Sequence, residues 1–196
     1  YRPLPPSSHR PPRLPDHVVA VIREALAAQT GSILTFLPGA GEIRLVERLI
    51  RPHLPPNTHL TPLYGQLKGD EQDRAIQPAP EGQRKIVLAT AIAETSLTID
   101  GVRVVIDAGQ ARRAVFDPNS GMTRLTTGRL SQAAAEQRKG RAGRIEPGVC
   151  YRLWSESEQQ GLAAFTAPEI LEADLAPLAL ELAQWGARSS AQLDWI

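Results

Sequence analysis

Short apolar runs alternate along this chain with segments of helical period, and that alternation restricts the fold more than any other feature. Ile33-Leu34-Thr35-Phe36 stands between Gly31 and the turn Leu37-Pro38-Gly39-Ala40-Gly41, after which Ile43, Val46, Leu49 and Ile50 recur at helical spacing. The unit repeats: 60–64 reads as strand, 70–76 as a short helix, 85–89 and 102–106 as buried strands, and 150–153 as a last strand. Ahead of the first unit, Val18, Val21, Ile22, Ala25 and Leu26 mark a helix that Asp16 is expected to cap. Strands alternating with helices of this length predict an α/β fold, a parallel sheet covered on both faces. Ligands of such a sheet are expected outside the carboxyl ends of its strands, where Gly39, Thr90 and Asp107 fall.

The chemistry concentrates in Gln137-Arg138-Lys139-Gly140-Arg141-Ala142-Gly143-Arg144, four cations and two glycines in eight residues. If 131–144 is helical, Gln137, Arg141 and Arg144 stand at i, i+4 and i+7 on one face. One amide and two guanidiniums so arranged suit a polyphosphate, because a guanidinium keeps its charge and offers a planar fork of donors to phosphate oxygens. Gly140 and Gly143 would let a ligand or a second domain approach the backbone. The alternative is a basic run that binds phosphate backbones only, or a solvated face.

The flanks are of a different character. Six prolines fall within residues 1–15, which predicts an extended leader. Between 112 and 130 two β-rich pieces flank Asp117-Pro118-Asn119-Ser120-Gly121, a hairpin. Beyond Trp154 the residues turn to Glu, Ala, Leu and Gln, and Asp174 is expected to cap a helix whose Leu175, Leu178, Leu182 and Trp185 form a core stripe. The predicted division is therefore 1–15 leader, 16–154 α/β domain and 155–196 the start of a helical region.

Charge is local: nine cations against three acids between 103 and 144, then seven acids against one arginine from Ser155 onward, for a net charge of +1. A basic segment in a near-neutral chain is the footprint of one face meeting nucleotide or nucleic acid. The single cysteine, Cys150, excludes an internal disulfide and a cysteine metal cluster, and is expected in the core. No apolar run approaches the roughly 20 residues of a membrane span, so a soluble, cytoplasmic monomer without membrane contact is expected. The start at Tyr1 within a proline-rich stretch suggests a piece of something longer.

Two stretches together resemble known motifs. The run Lys85-Ile86-Val87-Leu88-Ala89-Thr90-Ala91-Ile92-Ala93-Glu94-Thr95-Ser96-Leu97-Thr98-Ile99-Asp100-Gly101-Val102 and the octapeptide are similar to motifs five and six of DEAH-box ATP-dependent helicases. The 33–39 segment with Glu42-Ile43 resembles motif four, and Phe116-Asp117-Pro118, 121–125 and Tyr151-Arg152-Leu153-Trp154 bring the chain nearest the bacterial HrpB-type members. The resemblance implies the second of two RecA-like domains followed by the start of a winged-helix region. It implies ATP with Mg2+, bound mainly by a preceding first RecA-like domain, and single-stranded RNA, or DNA, running across both domains. Carried over residue by residue, Gln137, Arg141 and Arg144 face the γ-phosphate as arginine fingers with their glutamine. Thr98 and Asp100 lie toward the nucleotide, Ile76 lies at the adenine, and Gly39, Thr90 and Thr95 meet the nucleic-acid backbone. Relatives often have phenylalanine at the Ile76 position and asparagine at Ala91, so base and backbone contacts are expected to be weaker here. Neither Gly-x-x-x-x-Gly-Lys-Ser/Thr nor Asp-Glu-x-His occurs, so this chain by itself is not expected to hydrolyse ATP.

Overall fold

A computed structural model describes residues 1–5, 13–94, 99–144, 146–187, 189 and 191. In chain order the elements are α1 (Leu14–Ala28), β1 (Ser32–Phe36), α2 (Ala40–Ile50), β2 (Thr58–Leu63), α3 (Gly69–Ile76), β3 (Arg84–Ala89), β4 (Val102–Asp107), β5 (Gln110–Asp117), β6 (Met122–Arg129), α4 (Gln132–Lys139), β7 (Val149–Arg152), α5 (Glu156–Gln160) and α6 (Ala176–Gln184). Five strands form one parallel sheet in the order β2-β3-β1-β4-β7, and β5 and β6 form a separate two-stranded sheet.

The alternation of side chains across the strands builds a core on each face. Ile33, Ile86, Leu88, Val104 and Ile106 pack with Val18, Ile22, Ile43 and Val46 of α1 and α2. Leu34, Phe36, Val87, Ala89 and Val105 point the other way, against Leu63, Ala75 and Ala93. Period-2 strands buried on both faces read as continuous apolar runs, which is why they were visible in the sequence. The pairing of β1 with β4 shifts register between Ser32 and Ile33, whose partners are Val102 and Val104, so Arg103 is an extra residue in β4.

Local details depart from expectation where side chains found other partners. Helix α1 begins at Leu14 with Arg13 as N-cap, and Asp16 lies in its first turn, paired with Arg13 at 3.0 Å, rather than capping it. Pro15 suits that first turn, where its missing N–H costs no hydrogen bond. The tail helix α6 starts one residue past Leu175, and Asp174 accepts from the Ala176 amide at 2.9 Å. Its expected core stripe is not a core: no residue of α6 is buried, and Trp185 is 76% exposed.

The chain divides into two compact units, Tyr1–Arg112 with Thr127–Thr166, and Arg113–Thr126 with Ala167–Ile196. The first holds the sheet. Here 155–166 pack with it: Leu162 joins Leu130, Ala135 and Trp154 in a small cluster, and the Gln132 and Ala133 amides donate to the Ala163 and Ala164 carbonyls. The second contains the outer hairpin, where the Phe116 amide donates to the Glu172 carbonyl at 2.7 Å and Arg113 pairs with Glu172 at 3.2 Å. The hairpin turn is the expected one: Asp117 accepts from the Asn119 amide and the Ser120 hydroxyl, and Gly121 takes a φ of 64°.

Candidate nucleotide and nucleic-acid sites

Helix α4 is shorter than the single-face reading requires. Ser131 caps it, accepting from the Ala134 amide at 3.2 Å, and it ends at Lys139 with Gly140 as C-cap. Gln137 is on the helix, exposed, but Arg141 and Arg144 stand in the loop that follows, so the three do not share a helical face. Gly143 ends any continuation by taking a φ of 72°, and its amide donates to the Val102 carbonyl at 3.2 Å. A Cβ on Gly143 would lie 2.5 Å from the Gly148 nitrogen. Its glycine therefore serves a close backbone approach within the loop, not the approach of a ligand.

That loop, laid against the start of β4, brings the predicted arginines to a cavity of about 440 Å³. Arg141, Arg144, Asp100, Gly101, Arg103 and Thr30 line it. Thr30 precedes β1, Asp100 precedes β4 and Glu146 precedes β7, so this cavity opens at the amino ends of the strands. The sheet pattern leads one to expect ligands at the carboxyl ends, where Gly39, Thr90 and Asp107 fall. The discrepancy arises because the octapeptide sits after its helix, and a helix that follows one parallel strand returns the chain to the amino edge before the next.

The electrostatics suit an anion. Burial, together with the charge of Arg144, lowers the pKa of Arg141, a direction that a bound phosphate would reverse. Arg141 donates to the Glu94 main-chain carbonyl, which fixes the guanidinium at the cavity wall. Arg103, swung out by the bulge, donates to the Thr30 hydroxyl at 2.8 Å and pairs with Glu146 at 3.3 Å, tying the β1 entry to the loop. A Cβ on Gly31 would lie 2.7 Å from the Arg103 side chain, so Gly31 makes room for it. An arginine in the otherwise apolar run 102–106 was the sequence signal for this brace, and it was not read.

The other expected residues are scattered. Ile76 is half-buried and packs on the second core cluster instead of lining the cavity. Thr95 and Thr98 lie outside the described residues. Thr90 and Gly39 sit at the carboxyl end, away from the arginine cavity: Thr90 leads a 3₁₀ turn (Ala91–Ala93) after β3 and donates its amide to the Leu63 carbonyl, and Gly39 is the N-cap of α2. Gly39 is buried under the Arg112 guanidinium, whose Nη1 would lie 2.5 Å from a Cβ there. Arg112, held by Glu42 at 3.1 Å, is thus an exposed cation of this end, and sequence reasoning did not single it out.

Two further residues change role. Asp107 does not face a ligand: its side chain is wholly buried and pairs with Arg138 at 2.8 Å. Arg138, the first arginine of the octapeptide, is also buried, and its guanidinium lies 4.9 Å from the centre of the Phe36 ring. Burial pushes the Asp107 carboxyl up against the pull of Arg138 and the Gly109 amide, while Asp107 and Glu94 outweigh burial at Arg138 and keep it charged. Cys150 is half-buried at the edge of the second core cluster, and burial, with the Asp107 charge, pushes its thiol up to about 12. Among the described residues no group of His, Cys, Asp or Glu could hold a metal ion, and no helix is long and apolar enough to cross a membrane.

Comparison with known proteins places this architecture. The family described as helicase conserved C-terminal domain matches residues 16–146. The chain is 48% identical over its full 196 residues to the ATP-dependent RNA helicase HrpB of Escherichia coli (strain K12), covering 24% of that protein. It is 43% identical over 156 residues, 79% of its length, to the probable ATP-dependent RNA helicase DHX34 of Mus musculus, covering 14% of that protein. Two crystal structures of Escherichia coli HrpB, one described as a DExH-box NTPase and one as a DEAH/RHA helicase, superpose over the whole chain with TM-scores of 0.89 and 0.92 at 49% identity. Each is covered to 24% of its length, so the chain spans about a quarter of the HrpB it matches. The RecA-like parallel sheet expected from the sequence is the fold observed.

Proposed function

The chain belongs to the helicase conserved C-terminal domain family, and from that premise we propose that it is the second RecA-like wall of an ATP-dependent RNA helicase. ATP and Mg2+ lie against a preceding phosphate-loop domain, and this chain closes the cleft from the other side. Arg141 and Arg144 engage the γ-phosphate, Gln137 orients toward the same group, and Asp100 contributes from the entry to β4. Gly39 and Thr90 meet the backbone of single-stranded RNA at the other end of the sheet, and Thr95 is assigned the same role.

One observation carries the reading: Arg141 and Arg144 converge with Asp100, far from them in sequence, on one cavity at the amino ends of β1 and β4. The two guanidiniums fit an anionic polyphosphate, since burial and the neighbouring Arg144 disfavour the Arg141 charge until an anion stands beside it. When bound, ATP supplies the transferable phosphoryl group. What the chain supplies is fixed positive charge held where the phosphoryl oxygens gain charge in the transition state, so the arginines accelerate turnover without needing to move a proton. Opposite ends of one rigid sheet then serve phosphate and nucleic acid, so the two ligands need not compete for the same residues.

The test is Arg141→Ala or Arg144→Ala in the full-length protein. Turnover is expected to fall by about 10³ or more with RNA affinity nearly unchanged, because the contact strengthens mainly in the transition state. A variant that folds and still hydrolyses ATP at the parental rate would remove that residue from the site.

A further inference from the structure

Arg138 sits among the phosphate-directed residues of its loop and helix yet has nothing left to offer a phosphate. Its side chain is 1% exposed, and each of its three nitrogens is engaged. Nε and Nη2 reach Glu94 Oε1 at 2.7 and 2.5 Å, and Nη1 reaches Asp107 Oδ1 at 2.8 Å and the Gln110 carbonyl at 3.2 Å. The planar fork is thus spent on three different segments: the turn after β3, the end of β4 and the first residue of β5. A buried ion pair of this kind is weak evidence for stability as such, because desolvation offsets much of the attraction, so its use has to be sought in what it positions.

Glu94 is where the two ends of the sheet meet. Its carboxylate holds Arg138, and its main-chain carbonyl accepts from Arg141 at the cavity. Its amide donates to the Ala91 carbonyl at 2.9 Å, closing the 3₁₀ turn that Thr90 begins, and the Thr90 amide is in turn fixed to the Leu63 carbonyl at the carboxyl end of β2. One residue therefore touches the nucleotide-side arginine and the turn on the nucleic-acid side. On the far side of Arg138, Asp107 Oδ1 also accepts from the Gly109 amide at 2.9 Å, leading into β5.

We propose that Glu94 and Arg138 are a positioning pair that makes ATP turnover at the Arg141 cavity depend on nucleic acid held at the carboxyl ends of the strands. The inference rests on the helicase reading above and adds the route of coupling within this domain. Because the interior is close-packed and every nitrogen of Arg138 is occupied, the turn after β3 cannot shift without breaking one of these bonds or carrying Glu94 with it. A strand bound at Thr90 would bias the position of the Glu94 carbonyl, and with it the aim of Arg141. Neither Glu94 nor Arg138 touches the phosphate or the RNA in this scheme.

The experiment measures ATP turnover of the full-length protein with and without saturating polyuridylate, for the parent, Glu94→Gln and Arg138→Lys. Glu94→Gln keeps the main-chain carbonyl and leaves the Arg138–Asp107 pair intact, so it tests the route even if the buried arginine tolerates no change. In Glu94→Gln the ratio of stimulated to unstimulated turnover is expected to fall at least about tenfold, within the range of measured couplings between sites, while the polyuridylate dissociation constant moves less than about threefold. A purely structural role would lower the melting temperature and scale both turnovers together, leaving the ratio where it was. Parental ratios in a folded Glu94→Gln protein would overturn the proposal. If the parent itself shows no stimulation by polyuridylate and Arg141→Ala leaves its turnover intact, the helicase reading fails and this inference falls with it.

Discussion

Replacing Arg138 by methionine isolates the cost of the buried charge beneath the octapeptide. Methionine has a similar reach and no charge, so the volume beside the Phe36 ring stays filled while the wholly buried Asp107 and the less buried Glu94 lose their shared cation. Among the described residues Asp107 Oδ1 would retain only the Gly109 amide, and Oδ2 is already buried without a partner. Removing one partner of a fully buried pair costs about 4 kcal/mol, which at roughly 3 °C per kcal/mol for a chain of this size is a fall of about 12 °C in melting temperature.

The same structure dictates how that loss depends on pH. Burial already raises the Asp107 carboxyl above its unfolded value, and removing Arg138 withdraws the charge that opposes the rise. Between the unfolded and folded values the native state holds the extra proton, so the stability of the variant falls as pH rises through that window and recovers as pH drops. The gap in melting temperature between Arg138→Met and the parent should therefore be narrower at pH 5 than at pH 8, which thermal unfolding followed by circular dichroism can measure. Asp107→Asn added to Arg138→Met removes the wholly buried one of the two stranded charges, keeps an acceptor for the Gly109 amide, and should restore at least half of the loss. A single variant within about 3 °C of the parent at pH 8, or a double variant whose losses simply add, would refute the argument.

Two other outcomes follow from the loop and the lone thiol. Gly143→Ala forces a left-handed backbone on alanine and drives a Cβ to 2.5 Å from the Gly148 nitrogen, so urea unfolding should show a loss of about 2–3 kcal/mol, and unchanged stability would mean that the loop relaxes freely. Cys150, with its thiol pushed up to about 12, should be almost wholly protonated at pH 8. A thiolate reagent should therefore label the native chain at least about a hundredfold more slowly than the urea-unfolded chain, and equal rates would contradict the burial assigned to it.

What could be read from the residues was whatever is local or periodic. Strands β1, β3 and β4 announced themselves because a strand buried on both faces must be apolar at every position, and the hairpin did so because its Asp117 and Gly121 satisfy a turn within five residues. The octapeptide and the 85–102 run identified the family because both occur in one chain, and the comparisons agree with that reading. The destination of each charged side chain was a different matter. Arg138, Arg141 and Arg144 are the same residue type within seven positions, yet the first is buried against Asp107 and Glu94 while the other two line a cavity. That difference depends on where α4 stops, which is set by Gly143 meeting Gly148 and the Val102 carbonyl across the fold. Likewise the stripe of α6 has the period of a core helix, yet among the described residues Leu175 and Trp185 are exposed and Leu178 and Leu182 only half-buried, since periodicity states which side chains share a face and says nothing of what covers it. The sequence by itself determined the elements, the parallel sheet and the family, because backbone periodicity and motif spacing are properties of neighbouring residues. Only the tertiary structure decided which cations meet solvent and at which end of the strands they do so, because burial and ion pairing are settled between residues that are distant along the chain.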